Sequence, residues 1–118
     1  MKVLIIDDED LVRKSLGRAF ASKGHQVYLA DGGVEGIKLW KANQPDIILL
    51  DVLMPDISGP KVLEEMKGQG YVILMSAYKG EYDSMTAVNL GANEFIAKPF
   101  EDIFKLVERV ETSFNNHG

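Results

Sequence analysis

The sequence predicts a doubly wound α/β fold, a five-stranded parallel sheet with helices on both faces, (βα)5. Two observations predict it. Five short apolar runs recur along the chain: Val3–Ile6, Val27–Ala30, Ile47–Leu50, Val72–Met75 and Phe95–Ala97. The segments between them carry apolar residues at helical spacing. Strict alternation of this kind implies parallel strands joined by right-handed crossovers.

The first run, Val3–Ile6, is continuous, as in a strand buried on both faces. Leu11, Val12, Ser15, Leu16, Ala19 and Phe20 then line one face of a first helix, and Gly24 stands where a left-handed cap wants glycine. The second run is interrupted by Tyr28 and reads as an edge strand. Val34, Ile37 and Trp40 mark the second helix. The third run, Ile47–Leu50, is again continuous. Gly59-Pro60 opens the third helix, with Pro60 placed for its first position and Val62, Leu63 and Met66 on its apolar face. The fourth run, Val72–Met75, leads to a helix marked by Met85, Val88 and Leu90 and followed by Gly91. The fifth run is flanked by Glu94 and reads as the other edge. Ile103, Leu106, Val107, Val110 and Phe114 mark the last helix, and 115–118 reads as a frayed tail.

The 118 residues make one domain, 1–118. Apolar residues make up 46% and charged residues 26%, as in a soluble globule. Thirteen Lys and Arg against 18 Asp and Glu give a net charge of −5, which argues against a nucleic-acid surface. With no cysteine, disulfides, thiolate zinc sites and a cysteine nucleophile are excluded. The N-terminal apolar run is too short for an export signal or a membrane span, so a cytoplasmic location is expected and no membrane partner.

In an open α/β sheet, ligands bind beyond the carboxyl ends of the strands. Asp7 and Asp8 follow the first run, Asp51 the third, Ser76 the fourth and Lys98 the fifth. Asp31, after the second, reads as a plain turn residue before Gly32-Gly33. Two carboxylates about 4 Å apart repel by roughly 4 kcal/mol at an effective dielectric near 20, so such a cluster protonates or binds a cation. An all-oxygen set that keeps waters suits Mg²⁺. The competing reading of Asp7 and Asp8 is that they cap the first helix. Lys98 taken alone reads as a surface lysine; the proline behind it restricts its backbone and admits a cis bond. Together the groups describe a metal-assisted phosphoryl site. Asp51 is then the nucleophile, and Lys98 and the Ser76 hydroxyl meet the phosphoryl oxygens. Neither glycine-containing turn, 31–33 or 57–60, matches a nucleotide-binding loop, so the donor is expected to be a phosphorylated partner or a small phosphate ester.

These residues resemble the receiver domain of bacterial two-component response regulators. The resemblance rests on 3–9 (Val-Leu-Ile-Ile-Asp-Asp-Glu), 46–59 with Asp51 and Met54-Pro55, Met75-Ser76-Ala77, and 91–100 with Lys98-Pro99. It implies a flavodoxin-like fold with strand order 2-1-3-4-5. It implies that Asp51 accepts phosphate from a histidine of a sensor kinase or a phosphotransfer protein. Asp7, Asp8, Asp51 and the backbone carbonyl of Leu53 are then the Mg²⁺ ligands. Ser76 and Phe95 become the switch that reshapes the face of helix four, strand five and helix five for a downstream protein target, an output domain or a phosphorylation-dependent homodimer. Leu53 and Tyr78 flank the path of the hydrolytic water. The resemblance further implies a phosphoacceptor that assists its own phosphorylation and dephosphorylation, not a turnover enzyme.

Three features depart from the family pattern. Phe95 has no hydroxyl, and plain core packing is its competing reading. Ser76 follows Asp51 by only 25 residues, which points to a trimmed third helix or loop near Gly68-Gln69-Gly70. Tyr71-Val72 lacks the proline usual before the fourth strand. Leu53 and Tyr78, bulky and uncharged, predict a long-lived phosphoryl group. An aspartate-nucleophile phosphatase places a second Asp where Leu53 stands, so that reading lacks its general acid. A phosphorylation-independent interaction module and a receiver fragment of a longer DNA-binding regulator remain as alternatives. The charges Lys79, Glu81, Asp83, Glu94, Lys105, Glu108 and Arg109 fit a docking face or a solvated one.

Overall fold

A computed structural model describes residues 1–67, 69–77 and 84–117, without the side chains of Ser84 and Met85. The elements run β1 (Lys2–Ile6), α1 (Asp10–Ser22), β2 (Gln26–Ala30), α2 (Gly33–Asn43), β3 (Ile47–Asp51), α3 (Gly59–Met66), β4 (Tyr71–Ser76), α4 (Ser84–Asn89), β5 (Glu94–Ala97) and α5 (Ile103–Asn115). All strand pairs are parallel, in the order β2-β1-β3-β4-β5. The strand order implied by the resemblance is therefore observed, with β2 and β5 at the edges.

The continuous apolar runs are explained by the two layers of core. Side chains alternate across a strand, so odd and even residues face opposite sides. Val3, Ile5, Ile47, Leu49, Ile73 and Met75 pack with Leu16, Ala19 and Phe20 of α1 and Leu106, Val107 and Val110 of α5. Leu4, Ile6, Ile48, Leu50, Val72 and Leu74 pack with Val62, Leu63 and Met66 of α3 and with Ala87 of α4. Each fully buried Leu or Ile contributes about 1.5–3 kcal/mol by leaving water. The edge strands expose part of themselves, Leu29 of β2 to 41%.

Several boundaries differ from the sequence reading. Asp51 and Ser76 are the last residues of β3 and β4, not the first residues after them. Asp51 stays in register with Met75, and Ser76 with Ala97, so the ladders hold them. Pro60 takes the second position of α3, because Gly59 already begins it, and the Ser58 hydroxyl caps the turn by accepting from the Lys61 amide at 3.3 Å. Gly24 and Gly91 do close α1 and α4 with positive φ of 87° and 99°. Two further helices end on left-handed residues that are not glycine, Gln44 after α2 and Lys67 after α3. Of the expected trimming site, Gly68 lies outside the described residues while Gln69 and Gly70 are described; Tyr78, Lys79, Glu81 and Asp83 also lie outside them. Among the described residues no helix is long and apolar enough to cross a membrane.

Candidate functional site

The parallel topology brings four strand ends to one edge of the sheet. Asp7 follows β1, Asp51 ends β3, Ser76 ends β4 and Lys98 follows β5. Among the described residues these four are the buried polar or charged side chains, with Asp7 fully enclosed and Lys98 only 7% exposed. Their backbones are tied into the sheet. The Asp7 amide donates to the Ala30 carbonyl at 3.1 Å, and the Lys98 amide donates to the Ser76 carbonyl at 2.9 Å. The Lys98–Pro99 bond is cis.

Asp7, Asp8 and Asp51 each offer a carboxylate oxygen within 4.8 Å of the others. Asp8 is exposed, so the cluster opens to solvent on one side. The Lys98 ammonium spans the buried side. Its Nζ donates to Asp7 Oδ2 at 2.7 Å and to Glu9 Oε1 at 3.3 Å, and lies 3.5 Å from Asp51 Oδ1. Asp7 Oδ1 accepts from the Glu9 amide at 2.9 Å. Arg13 donates to the Asp7 carbonyl at 2.8 Å and pairs with Asp10, holding the loop from the helix side. The helix-capping reading of Asp7 and Asp8 is thereby corrected. The N-cap of α1 is Glu9, with no side-chain cap bond, and Asp7 turns its other oxygen to Lys98.

The electrostatics follow from burial and crowding. Burial first, and then the Asp7 charge, push the Asp51 carboxyl up to about 7; Lys98 opposes this and Asp8 adds to it. Burial pulls Lys98 down, but its bond to Asp7 and the charges of Asp51, Asp7 and Glu9 outweigh it, so its net shift is upward. Among the described residues one ammonium thus faces three acids, Asp7, Glu9 and Asp51, with Asp8 beside them. At about 5 Å each carboxylate pair repels by roughly 3 kcal/mol at an effective dielectric near 20. A hard divalent cation on the open side relieves that repulsion, and an all-oxygen donor set fits Mg²⁺.

The remaining predicted residues are spread around this centre. Leu53 lies in the loop after β3 and is 52% exposed. Phe95 is half-buried and packs against the core layer of α3 and α4, as its core-packing reading expects. Tyr78 lies outside the described residues. On the α4–β5–α5 face, Arg109 pairs with Glu94 at 2.7 Å, so part of that charge is internally satisfied. Sequence reasoning missed Glu9 as a partner of Lys98, although its place in the acidic run was a signal. It also missed Arg13 and Asp56, for which no local signal exists.

A parallel sheet in this order with acids gathered at its carboxyl edge defines a flavodoxin-like domain with a cation-attracting site. The sequence matches the response regulator receiver domain family over residues 3–111, and the chain belongs to that family. Its members are signalling domains of two-component response regulators. The chain is 38% identical over 103 residues to the regulatory protein AtoC of Escherichia coli (strain K12), covering 85% of this chain and 22% of AtoC. It is 32% identical to the response regulator MprA of Mycobacterium sp. (strain KMS), covering 85% of this chain and 45% of MprA. It spans less than half the length of these relatives. The receiver domain of a Francisella response regulator superposes with a TM-score of 0.87 at 27% identity, over 99% of this chain and 98% of that one. A two-component response regulator from Clostridium difficile shares the fold at a TM-score of 0.90 and 22% identity, over 100% of this chain and 98% of that one.

Proposed function

We propose that this domain takes a phosphoryl group onto Asp51 from a phosphohistidine of a sensor kinase or phosphotransfer protein, and that Mg²⁺ is required. The observation that carries the reading is the acid cluster at the carboxyl edge with a buried, paired Lys98. An Asp51 oxygen bonds to phosphorus as the bond from phosphorus to the imidazole nitrogen breaks. The nitrogen keeps the electron pair and takes a proton from solvent. Asp51 must be ionised for this, and Lys98 favours that form. Lys98 then pairs with a phosphoryl oxygen, while the Ser76 hydroxyl donates to another. Asp7, Asp8, Asp51 and the Leu53 carbonyl would hold the cation, which neutralises charge on the phosphoryl oxygens when bound. Phe95, beside the core layer of α4, would report the change to the α4–β5–α5 face. A downstream protein or a joined output domain would read it; the greater length of the relatives supports the second.

The test is intact mass after incubation with acetyl phosphate and Mg²⁺. One added phosphate is expected on the wild type, none on Asp51→Asn, and none with a chelator. No addition to the wild type, under conditions that label another receiver, overturns the reading in favour of a phosphorylation-independent interaction module.

A further inference from the structure

The loop 52–58 between β3 and α3 is tied at two points. At its base, the Gly59 amide donates to the Val52 carbonyl at 2.8 Å, and the Val52 amide continues the β3–β4 ladder by donating to the Met75 carbonyl at 3.0 Å. A Cβ on Gly59 would lie 2.3 Å from the Asp51 carbonyl oxygen, so glycine lets α3 begin directly against the end of β3. At its tip, Asp56 reaches the start of α2. Asp56 Oδ1 accepts from the Gly33 amide at 3.1 Å, and Oδ2 accepts from the Val34 amide at 2.9 Å.

The turn 31–33 is shaped to receive this contact. Gly32 is the N-cap of α2 and supplies no side-chain cap, so Asp56 caps the helix from another segment of the chain. A Cβ on Gly32 would stand 3.0 Å from both Asp56 carboxylate oxygens, and one on Gly33 would stand 2.3 Å from Ile57 Cγ1. Ile57 in turn packs against the core layer of α3. The amides, Val34 foremost, hold the Asp56 carboxyl below its ordinary range against a smaller opposing effect of burial. Leu53 lies between the two ties, two residues after Asp51.

We infer that Asp56 is a positioning residue: by docking the loop on the Gly32-Gly33 turn it sets where the Leu53 carbonyl stands, and so tunes cation binding beside Asp51. The inference rests on the proposed reading of the acid cluster. It makes α2 a structural partner of the site although α2 contributes no side chain to it.

The experiment is a calorimetric Mg²⁺ titration of the wild type, Asp56→Ala, Asp56→Asn and Gly32→Ala. Thermal unfolding and hydrogen exchange at the Gly33 and Val34 amides are measured alongside. Gly32 has extended backbone (φ −169°), which alanine adopts freely, so Gly32→Ala acts by pushing on the Asp56 carboxylate. Asp56→Ala is expected to weaken Mg²⁺ binding about tenfold, the lower end for outer partners of metal ligands. Asp56→Asn, which keeps one oxygen acceptor, should fall between it and wild type. Gly32→Ala should follow Asp56→Ala, and both should speed exchange at the two amides. Mg²⁺ affinity within about twofold of wild type in all three variants, with only unfolding temperature and exchange altered, overturns the inference and leaves Asp56 a helix cap. If Asp56→Ala does not fold, Asp56→Asn and Gly32→Ala decide on the same criteria. A wild type that binds no Mg²⁺ overturns the reading of the acid cluster itself, together with the inference.

Discussion

The two ends of the sheet treat charge in opposite ways. At the amino end, polar groups come in balanced sets. Arg109 meets Glu94 at 2.7 Å, the Tyr71 hydroxyl donates to Glu94 at 3.3 Å, and His25 meets Glu111 at 2.7 Å. At the carboxyl end, Lys98 is the one cation among the described residues that faces Asp7, Glu9 and Asp51, with Asp8 close by. A balanced pair joins elements and asks for nothing more. An enclosed surplus of one sign raises the free energy of the native state, and persists where a ligand relieves it. The contrast separates a structural polar network from a site, and mutation can sharpen it.

The largest effect is expected at Lys98. Replacing it with Met keeps much of its volume but leaves Asp7 buried without its cation. Stability should fall by about 3–5 kcal/mol at neutral pH, and acetyl-phosphate labelling should nearly vanish. Urea unfolding measures the first and intact mass the second; a loss below 1 kcal/mol would show that Asp7 does not depend on Lys98.

Next comes pH. The folded Asp51 carboxyl sits near 7 against an ordinary value of 3.8, so between these limits the native state holds a proton that the unfolded chain has lost. Its contribution is therefore fully present below about pH 4 and is lost as pH rises through about 7. Without divalent cation, the stability difference between Asp51→Asn and wild type should grow in favour of the variant across that window. A constant difference contradicts the burial argument.

Leu53→Asn follows. An exposed amide beside the acyl phosphate can orient water where leucine cannot, so phosphoryl loss should quicken severalfold. Unchanged or slower decay removes Leu53 as the shield.

The smallest effects belong to the amino end. Tyr71→Phe should cost about 1 kcal/mol, and Arg109→Ala, whose side chain is half exposed, less than that. Labelling should be unaltered in both. A labelling defect in either would mean that the two ends are coupled.

Much of this molecule is legible along the chain. The runs Val3–Ile6, Ile47–Leu50 and Val72–Met75 identify central strands because burial on both faces leaves no polar position. Asp7, Asp51, Ser76 and Lys98 are legible as a group because parallel strands deliver their carboxyl ends to one edge. The left-handed ends at Gln44 and Lys67 are not legible, since an unfavourable local conformation carries no mark in the residue that adopts it. Asp56 reads as an ordinary loop acid, because its partners Gly33 and Val34 lie 23 and 22 residues away.

By itself, then, the sequence determines the alternation of strand and helix, the two-sided burial and the identity of the acids, all set by local pattern. The tertiary structure alone decides that Lys98 pairs with Asp7, that Arg13 clasps the Asp7 carbonyl, and that Asp56 docks on the turn before α2. The first and third of these join residues 91 and 23 apart in the chain, and their energy exists only once the sheet has brought them within a hydrogen bond of one another; the second, six residues apart, forms only where the chain turns from β1 into α1.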